Sequence, residues 1–415
     1  MDYKSLEKIF YTDDTIYQEE YNNRFNSYCT YKCGISIKPI MKEGHYKDSY
    51  ELFIVNLTTI VNLVDHIYNN SKAIKEMCEQ MPSLLFKTYF NKLLINELIA
   101  TNEIESVRTT KKELIEVLEN ITEDNEKLTK YKRFTGLLKN YKYLISDDYT
   151  YLDFQDVKDF RHLYDDLVSK EIEQENKLDG QLFRKNPVFI LSGNKVSHHG
   201  ISNEAEIIQS LKELTTFMND HSILKIYRIM LGHFLFEYIH PFYDGNGRVG
   251  RMYTSLFITK ELDPFSAVTF AYSINLNKKK YYNALENVSK VKNKADATLY
   301  IKDLLEILIT GQESLLEDLN ENFAKYSKIK ENIGTMNSYS EAEKQILLQL
   351  VQIKVFTSSV LMPNRKVLLD ILGIQEYIFK KNIINLEKDG IVKKIKSRPI
   401  IYDVDDTFIE RLLNN

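Results

Sequence analysis

The sequence predicts a mainly α-helical protein, and three observations carry that expectation. Apolar residues recur at three- and four-residue steps through most of the chain, most clearly as Ile223, Leu224, Tyr227, Met230, Leu231, Phe234, Leu235 and Tyr238, the pattern of a helix buried along one face. Strand-like texture in the central part is concentrated in one short stretch, Phe183 to His199, which reads as a β-hairpin. From Ser340 the chain reads as three helices followed by two short strands around a basic turn.

Composition bounds the rest. A chain of 415 residues with 43% apolar content has material for two or three domains with real cores. A formal charge of −4 gives no compositional case for nucleic acid or membrane. The three cysteines, Cys29, Cys33 and Cys78, make no disulfide framework and are expected as free thiols in a reducing cytosol. The charged start MDYKSLEKIF has no apolar leader, and no run of about 18 apolar residues occurs. The expectation is a soluble cytoplasmic protein without a membrane contact.

In chain order, residues 1 to about 45 are rich in Tyr, Asn and Asp and receive no role. From Tyr50 the stripe Leu52, Val55, Leu57, Ile60, Leu63, Val64 and Ile67 predicts a helix ending near Asn69-Asn70. A second helix is expected from Pro82 through Leu84, Leu85, Tyr89, Leu93, Leu94 and Leu98, running into Thr101-Asn-Glu-Ile-Glu105-Ser106. Residues 108–180 continue as helices. The acidic pairs Asp147-Asp148 and Asp165-Asp166 read as a solvated face. In the hairpin, Phe183 to Leu191 leads into the turn Ser192-Gly193-Asn194, and Lys195-Val196-Ser197-His198-His199 returns. His198 and His199 alternate faces on a strand, which argues against a shared metal.

The densest chemistry lies in His240-Pro-Phe-Tyr-Asp244-Gly245-Asn246-Gly247-Arg248-Val-Gly-Arg251. Pro241 stops the preceding helix, so His240 stands at a break. Phe242 reads as an apolar plug beneath the loop. Gly245 and Gly247 permit positive φ and a close approach of backbone N–H groups to an anion. Val249, Met252, Tyr253, Leu256 and Phe257 predict a helix after the turn, whose unpaired N–H groups and positive dipole end face the loop. Arg248 and Arg251, one turn apart, can converge on neighbouring phosphate oxygens. Taken singly, a helix-end histidine is ordinarily solvated and an aspartate at a helix start is ordinarily a cap; the order and spacing together point to a nucleoside triphosphate.

This segment resembles the signature of the Fic family, His-x-Phe-x-Asp/Glu-Gly-Asn-Gly-Arg-x-x-Arg, at every defined position; the family variant that phosphorylates its targets has a lysine where Gly247 stands. The resemblance implies a Fic-type helical core and transfer of AMP from ATP to a Tyr, Ser or Thr hydroxyl of a target protein, including the chain itself. By position, His240 would be the general base and Asp244 the Mg²⁺ ligand. Gly245, Asn246 and Gly247 would form the anion hole, with Asn246 on the α-phosphate, and Arg248 and Arg251 would neutralise the β- and γ-phosphates. Thr101 and Glu105 match the family's inhibitory Ser/Thr-x-x-x-Glu segment, on a helix at about 95–107, with Ser106 where the family has Gly or Asn. Leu191, Ser192, Gly193, Asn194, Lys195 and Val196 would be the flap that pairs with the target. Tyr281 and Tyr282 resemble the stretch near the nucleotide base, and core packing explains them equally well.

The implied organisation is an N-terminal helical domain over 1–180, a Fic core over 181–310, a helical linker over 311–337 and a winged helix-turn-helix over 338–415. Ser340 to Glu343 forms a capping box for its first helix. Residues 340–415 hold twelve Lys and Arg against ten Asp and Glu, a weak balance for DNA, although Lys380, Lys381, Lys393, Lys394, Lys396 and Arg398 can cluster. A homodimer is compatible with this reading. Two functions compete: a protein adenylyltransferase, with another nucleotide as an open donor, and a DNA-binding regulator that uses the same site as a nucleotide sensor.

Overall fold

A computed structural model describes residues 3–41, 44–120, 133–146, 154–192, 195–357 and 359–414. Gly193 and Asn194 of the expected flap turn, and the acidic pair Asp147-Asp148, lie outside the described residues. Within them the protein is mainly α, with eighteen α-helices and four two-stranded sheets. No described helix is long and apolar enough to cross a membrane. The chain divides into two compact units, Met1–Lys72 with Leu94–Gln312, and Ala73–Leu93 with Glu313–Asn415.

The first unit opens with a small α+β layer that periodicity did not reveal. Helices Leu6–Thr12 and Tyr17–Phe25 precede the antiparallel strands Thr30–Ile37 and Tyr50–Val55. Leu6, Phe53 and Val55 are packed there against Tyr3, Ile9, Tyr17, Tyr21, Phe25 and Leu57. Tyr50–Val55 therefore corrects the sequence expectation: it is a strand, and the helix starts only at Thr58. Leu52, Phe53, Ile54 and Val55 are all buried, and a short continuous apolar run does not distinguish a buried strand from a buried helix turn.

Deeper in the unit, the helix Lys225–Ile239 is buried on nearly every side, more completely than the single stripe implied. It runs into the loop His240–Gly245 and then into the helix Asn246–Glu261, which is also largely buried. The helix Ser83–Ile104 brings Glu97, Thr101 and Asn102 into the interior together with Leu94, Ile95 and Leu98. Strands Phe189–Ser192 and Lys195–His199 pair antiparallel, the hairpin expected from the sequence.

In the second unit, helices Glu341–Thr357, Arg365–Leu372 and Glu376–Lys388 are followed by antiparallel strands Val392–Ser397 and Ile400–Val404. The expected capping box is present: Ser340 N donates to Glu343 Oε2 at 2.8 Å and Glu343 N to Ser340 Oγ at 3.3 Å. Leu347, Leu350, Leu368, Phe379, Ile383 and Val404 form its core. A last helix, Asp406–Asn414, was not anticipated. Most of the expected helical linker over 311–337 is the end of a continuous helix, Thr298–Gly334.

Candidate active site

The site is built where one helix stops and the next begins. His240 takes the left-handed conformation, φ 53° and ψ 63°, and its N–H still donates to Phe236 O at 3.0 Å. A Cβ residue in this region costs on the order of 1–2 kcal/mol, so the surroundings must hold it there. The ring is half-buried, and Nδ1 lies 3.3 Å from the carbonyl of Glu237. A proton on Nδ1 then leaves the Nε2 lone pair as the acceptor. Burial first, and the nearby Arg184 guanidinium second, push the imidazole pKa down to about 3, against a smaller opposing effect of the Glu237 carbonyl. The ring is therefore neutral at physiological pH.

Phe242 is the plug the sequence implied: it is fully buried and stacks on Tyr164 with ring centroids 4.1 Å apart. Asn246 clasps the loop, its Oδ1 accepting from Phe242 N at 2.9 Å and its Nδ2 donating to Phe242 O at 2.8 Å. Its buried side-chain amide thus shapes the turn, and Gly245, at φ 86°, supplies the left-handed step before the helix begins at Asn246. Asp244 is exposed, and its Oδ1 accepts from Gly245 N at 2.6 Å.

Both arginines are already engaged. Arg251, 1% exposed, donates through Nε to Thr101 Oγ1 at 2.8 Å and through Nη2 to Thr101 O at 3.0 Å and Glu105 Oε1 at 2.8 Å. Burial alone would lower its pKa, yet Glu105, Tyr281 and Glu237 leave it raised. The structure thus brings Thr101 and Glu105 from the N-terminal part onto the signature. The fit depends on Gly247: a Cβ there would stand 2.0 Å from Glu105 Oε1. Glu105 follows the last residue of its helix. Ser106 N donates to Glu103 O and Val107 N to Asn102 O, at 3.2 and 2.8 Å, a Schellman closure with Ser106 left-handed at φ 59°. That is the conformation for which Gly or Asn is ordinarily selected.

Arg248 pairs with Glu171, Nη1 to Oε2 at 3.0 Å, both side chains under a tenth exposed. Burial raises the Glu171 pKa, opposed by the Phe134 N–H and by Arg248. Sequence reasoning missed Glu171, because one glutamate within Lys170-Glu-Ile-Glu-Gln-Glu175 carries no signal. It also missed Arg184, whose only mark was a cation ahead of an apolar run. Of the two tyrosines, Tyr281 is interior, with its hydroxyl 2.7 Å from His233 Nε2, while Tyr282 is about half exposed and within electrostatic reach of Glu105 and Arg251. The hairpin pairs Leu191 with Val196 and Ser192 with Lys195.

Among the described residues no group of three or more His, Cys, Asp or Glu is arranged to hold a metal. A single exposed carboxylate at Asp244 still fits Mg²⁺, which takes one or two protein carboxylates and completes its shell with phosphate oxygens and water.

Solved structures of Fic proteins align with the chain at low identity. A Fic family protein from Desulfovibrio desulfuricans G20 is 17% identical, with 85% of this chain and 97% of that one covered and a TM-score of 0.49. A Fic domain containing signaling protein from Bacteroides thetaiotaomicron is 17% identical over 64% of this chain and 97% of that one, with a TM-score of 0.44. Fic-1 from C. elegans, residues 134–508, is 15% identical over 63% and 74%, with a TM-score of 0.41. Residues 151–258 match the model of the Fic/DOC family, a match that contains all of His240 to Arg251, and the chain carries a Fic/DOC family domain there.

Proposed function

We propose that this chain transfers AMP from ATP to a hydroxyl side chain of a target protein and that Glu105 restrains the reaction. The observation that carries the proposal is the engagement of Arg251, a signature arginine, by the Glu105 carboxylate at 2.8 Å: a buried guanidinium held by an anion that a triphosphate can replace.

The chemistry follows from the site. The target oxygen attacks the α-phosphorus, a new O–P bond forms, and the bond from the α-phosphorus to the oxygen bridging to the β-phosphate breaks, releasing pyrophosphate. The hydroxyl proton goes to His240 Nε2, since Nδ1 faces the Glu237 carbonyl. Backbone N–H groups at the start of the helix Asn246–Glu261 face the phosphates, in a turn fixed by the Asn246 clasp. Arg248 and Arg251, once released from Glu171 and Glu105, balance the charge of the leaving phosphates. Asp244 is the residue that would hold Mg²⁺, which supplies charge neutralisation on the triphosphate. The hairpin Phe189–Ser192 and Lys195–His199 is suited to take an extended target segment along its edge.

Intact-mass analysis with ATP and Mg²⁺ tests this. The expected result is one added adenylate on the chain or on an added target, increased by Glu105→Gly and absent in His240→Ala. Salt-sensitive duplex binding without any mass gain would instead favour a DNA-binding regulator.

A further inference from the structure

We propose that Arg184 is a positioning residue for the base: its guanidinium closes the end of the helix that carries His240 and joins that helix to both ends of the hairpin. The kinetic part of this proposal rests on the transferase reading above; the geometry does not.

Arg184 is fully buried. Its Nε donates to His240 O at 2.8 Å, its Nη1 to Asn186 O at 2.6 Å and its Nη2 to Ile239 O at 3.4 Å. Its backbone N–H donates to Pro241 O at 3.3 Å. A helix leaves its last carbonyls without partners, and here one planar fork takes two successive ones, a geometry that a lysine cannot reproduce. These acceptors are neutral carbonyls, whereas a buried cation ordinarily faces a carboxylate. Burial accordingly lowers the Arg184 pKa to about 10, with Tyr243 opposing.

The hairpin closes around the same guanidinium. A Cβ at Gly200 would come within 2.5 Å of Arg184 Nη2 and 3.1 Å of His240 Cβ. Gly200 N donates to Val188 O at 3.1 Å and Ile201 N to Ile239 O at 3.2 Å. The segments entering and leaving the hairpin therefore meet at Arg184, and the left-handed turn at His240 is held through its carbonyl.

Two effects on the imidazole follow. The left-handed backbone turn that presents the ring cannot relax without breaking the Arg184 bond to the His240 carbonyl, and a fixed cation beside the ring disfavours protonation. Among the groups facing the ring are the Arg184 guanidinium from the pre-hairpin segment and the Glu237 carbonyl from its own helix. Tyr243, whose hydroxyl donates to Asp179 Oδ1 at 2.9 Å, lies on the Arg184 side.

The test uses the full chain with Glu105→Gly, so that the brake does not set the rate. Arg184→Gln is expected to lower kcat about tenfold or more with the KM for ATP within about twofold, and to move the acid limb of the pH–rate profile up by about one unit or more. Arg184→Lys, which keeps the charge but not the fork, should restore the limb and not kcat. An unmoved limb in a folded Arg184→Gln protein overturns the proposal. NMR of histidine-labelled unreacted protein, with His240 assigned by His240→Gln, decides independently of catalysis. His240 should titrate at higher pH in Arg184→Gln than in wild type, and an unchanged titration in the folded variant overturns the proposal whether or not the chain transfers AMP.

Discussion

Glu105 is the residue whose removal has the clearest expected effect. A charge-assisted contact of this kind contributes roughly 1.5–3 kcal/mol, about 10- to 100-fold in occupancy. Glu105→Gly is therefore expected to raise the rate of AMP transfer by one to two orders of magnitude, measured as adenylate incorporated per minute at saturating ATP. A rate equal to wild type would show that the carboxylate does not obstruct the nucleotide. A second expectation concerns pH. Burial holds His233 and His240 neutral, each pKa pushed down to about 3. An unfolded histidine binds a proton below about 6.5, so this stability is present above that pH and is lost progressively as pH falls towards 3. Between pH 7 and 5 each histidine should cost roughly 2 kcal/mol of folding free energy. His233→Gln should remove about half of that drop, measured by chemical denaturation at the two pH values. His233 sits between Thr254 Oγ1, 2.9 Å from Nδ1, and Tyr281, so the variant will also shift stability at pH 7; the difference between the two pH values isolates the proton effect.

The end of the helix Ser83–Ile104 decides how firmly Glu105 is seated against Arg251. Ser106 holds a left-handed conformation at φ 59° that disfavours a Cβ by about 1 kcal/mol. Ser106→Gly should relieve this and strengthen inhibition by roughly fivefold, read as slower AMP transfer that Glu105→Gly fully reverses; a faster rate would mean that the serine helps to close the helix. Thr101, Glu105 and Ser106 were singled out by their resemblance to a family segment, but the geometry that explains the serine was not legible, because the backbone angle of a helix end is set by the closure it makes. The same limit applies at Tyr50–Val55, where pairing with Thr30–Ile37, distant in sequence, outweighs the local pattern. His240, Gly245 and Asn246 were legible because a proline, a positive-φ glycine and a helix start leave local signatures, whereas Gly247, expected to share that freedom, lies within the helix. Glu171 and Arg184 were not, since each matters only through a partner 77 or 56 residues away.

Two compact units imply two separable responses. In the unit that includes Glu313–Asn415, Lys354 and Asp403 are both almost fully buried and 3.2 Å apart, and Lys354 also reaches Asp406 at 2.7 Å. Lys354→Ala leaves a buried carboxylate uncompensated, a loss on the order of 3–5 kcal/mol. Calorimetry should then show one transition lowered, while a transition that rises with added ATP and Mg²⁺ stays where it was. A single transition that moves as one would show that the units unfold together. Surface charge in the second unit is less one-sided than its lysines imply, for Lys380 pairs with Glu376 at 2.9 Å and Lys393 lies 3.9 Å from Asp405. Tyr377 and Ile384 stand exposed on the same helix as Lys380, a mixed surface that net charge alone did not foretell.

The absence of a side chain at position 247 has a consequence for how such chains can diverge. Because the Glu105 carboxylate occupies the space that a Cβ there would need, a bulkier residue at 247 would push that carboxylate from its place against Arg251. A lysine at 247 should therefore be accompanied by a shifted or shortened side chain at 105, and the two positions should change together across descendants.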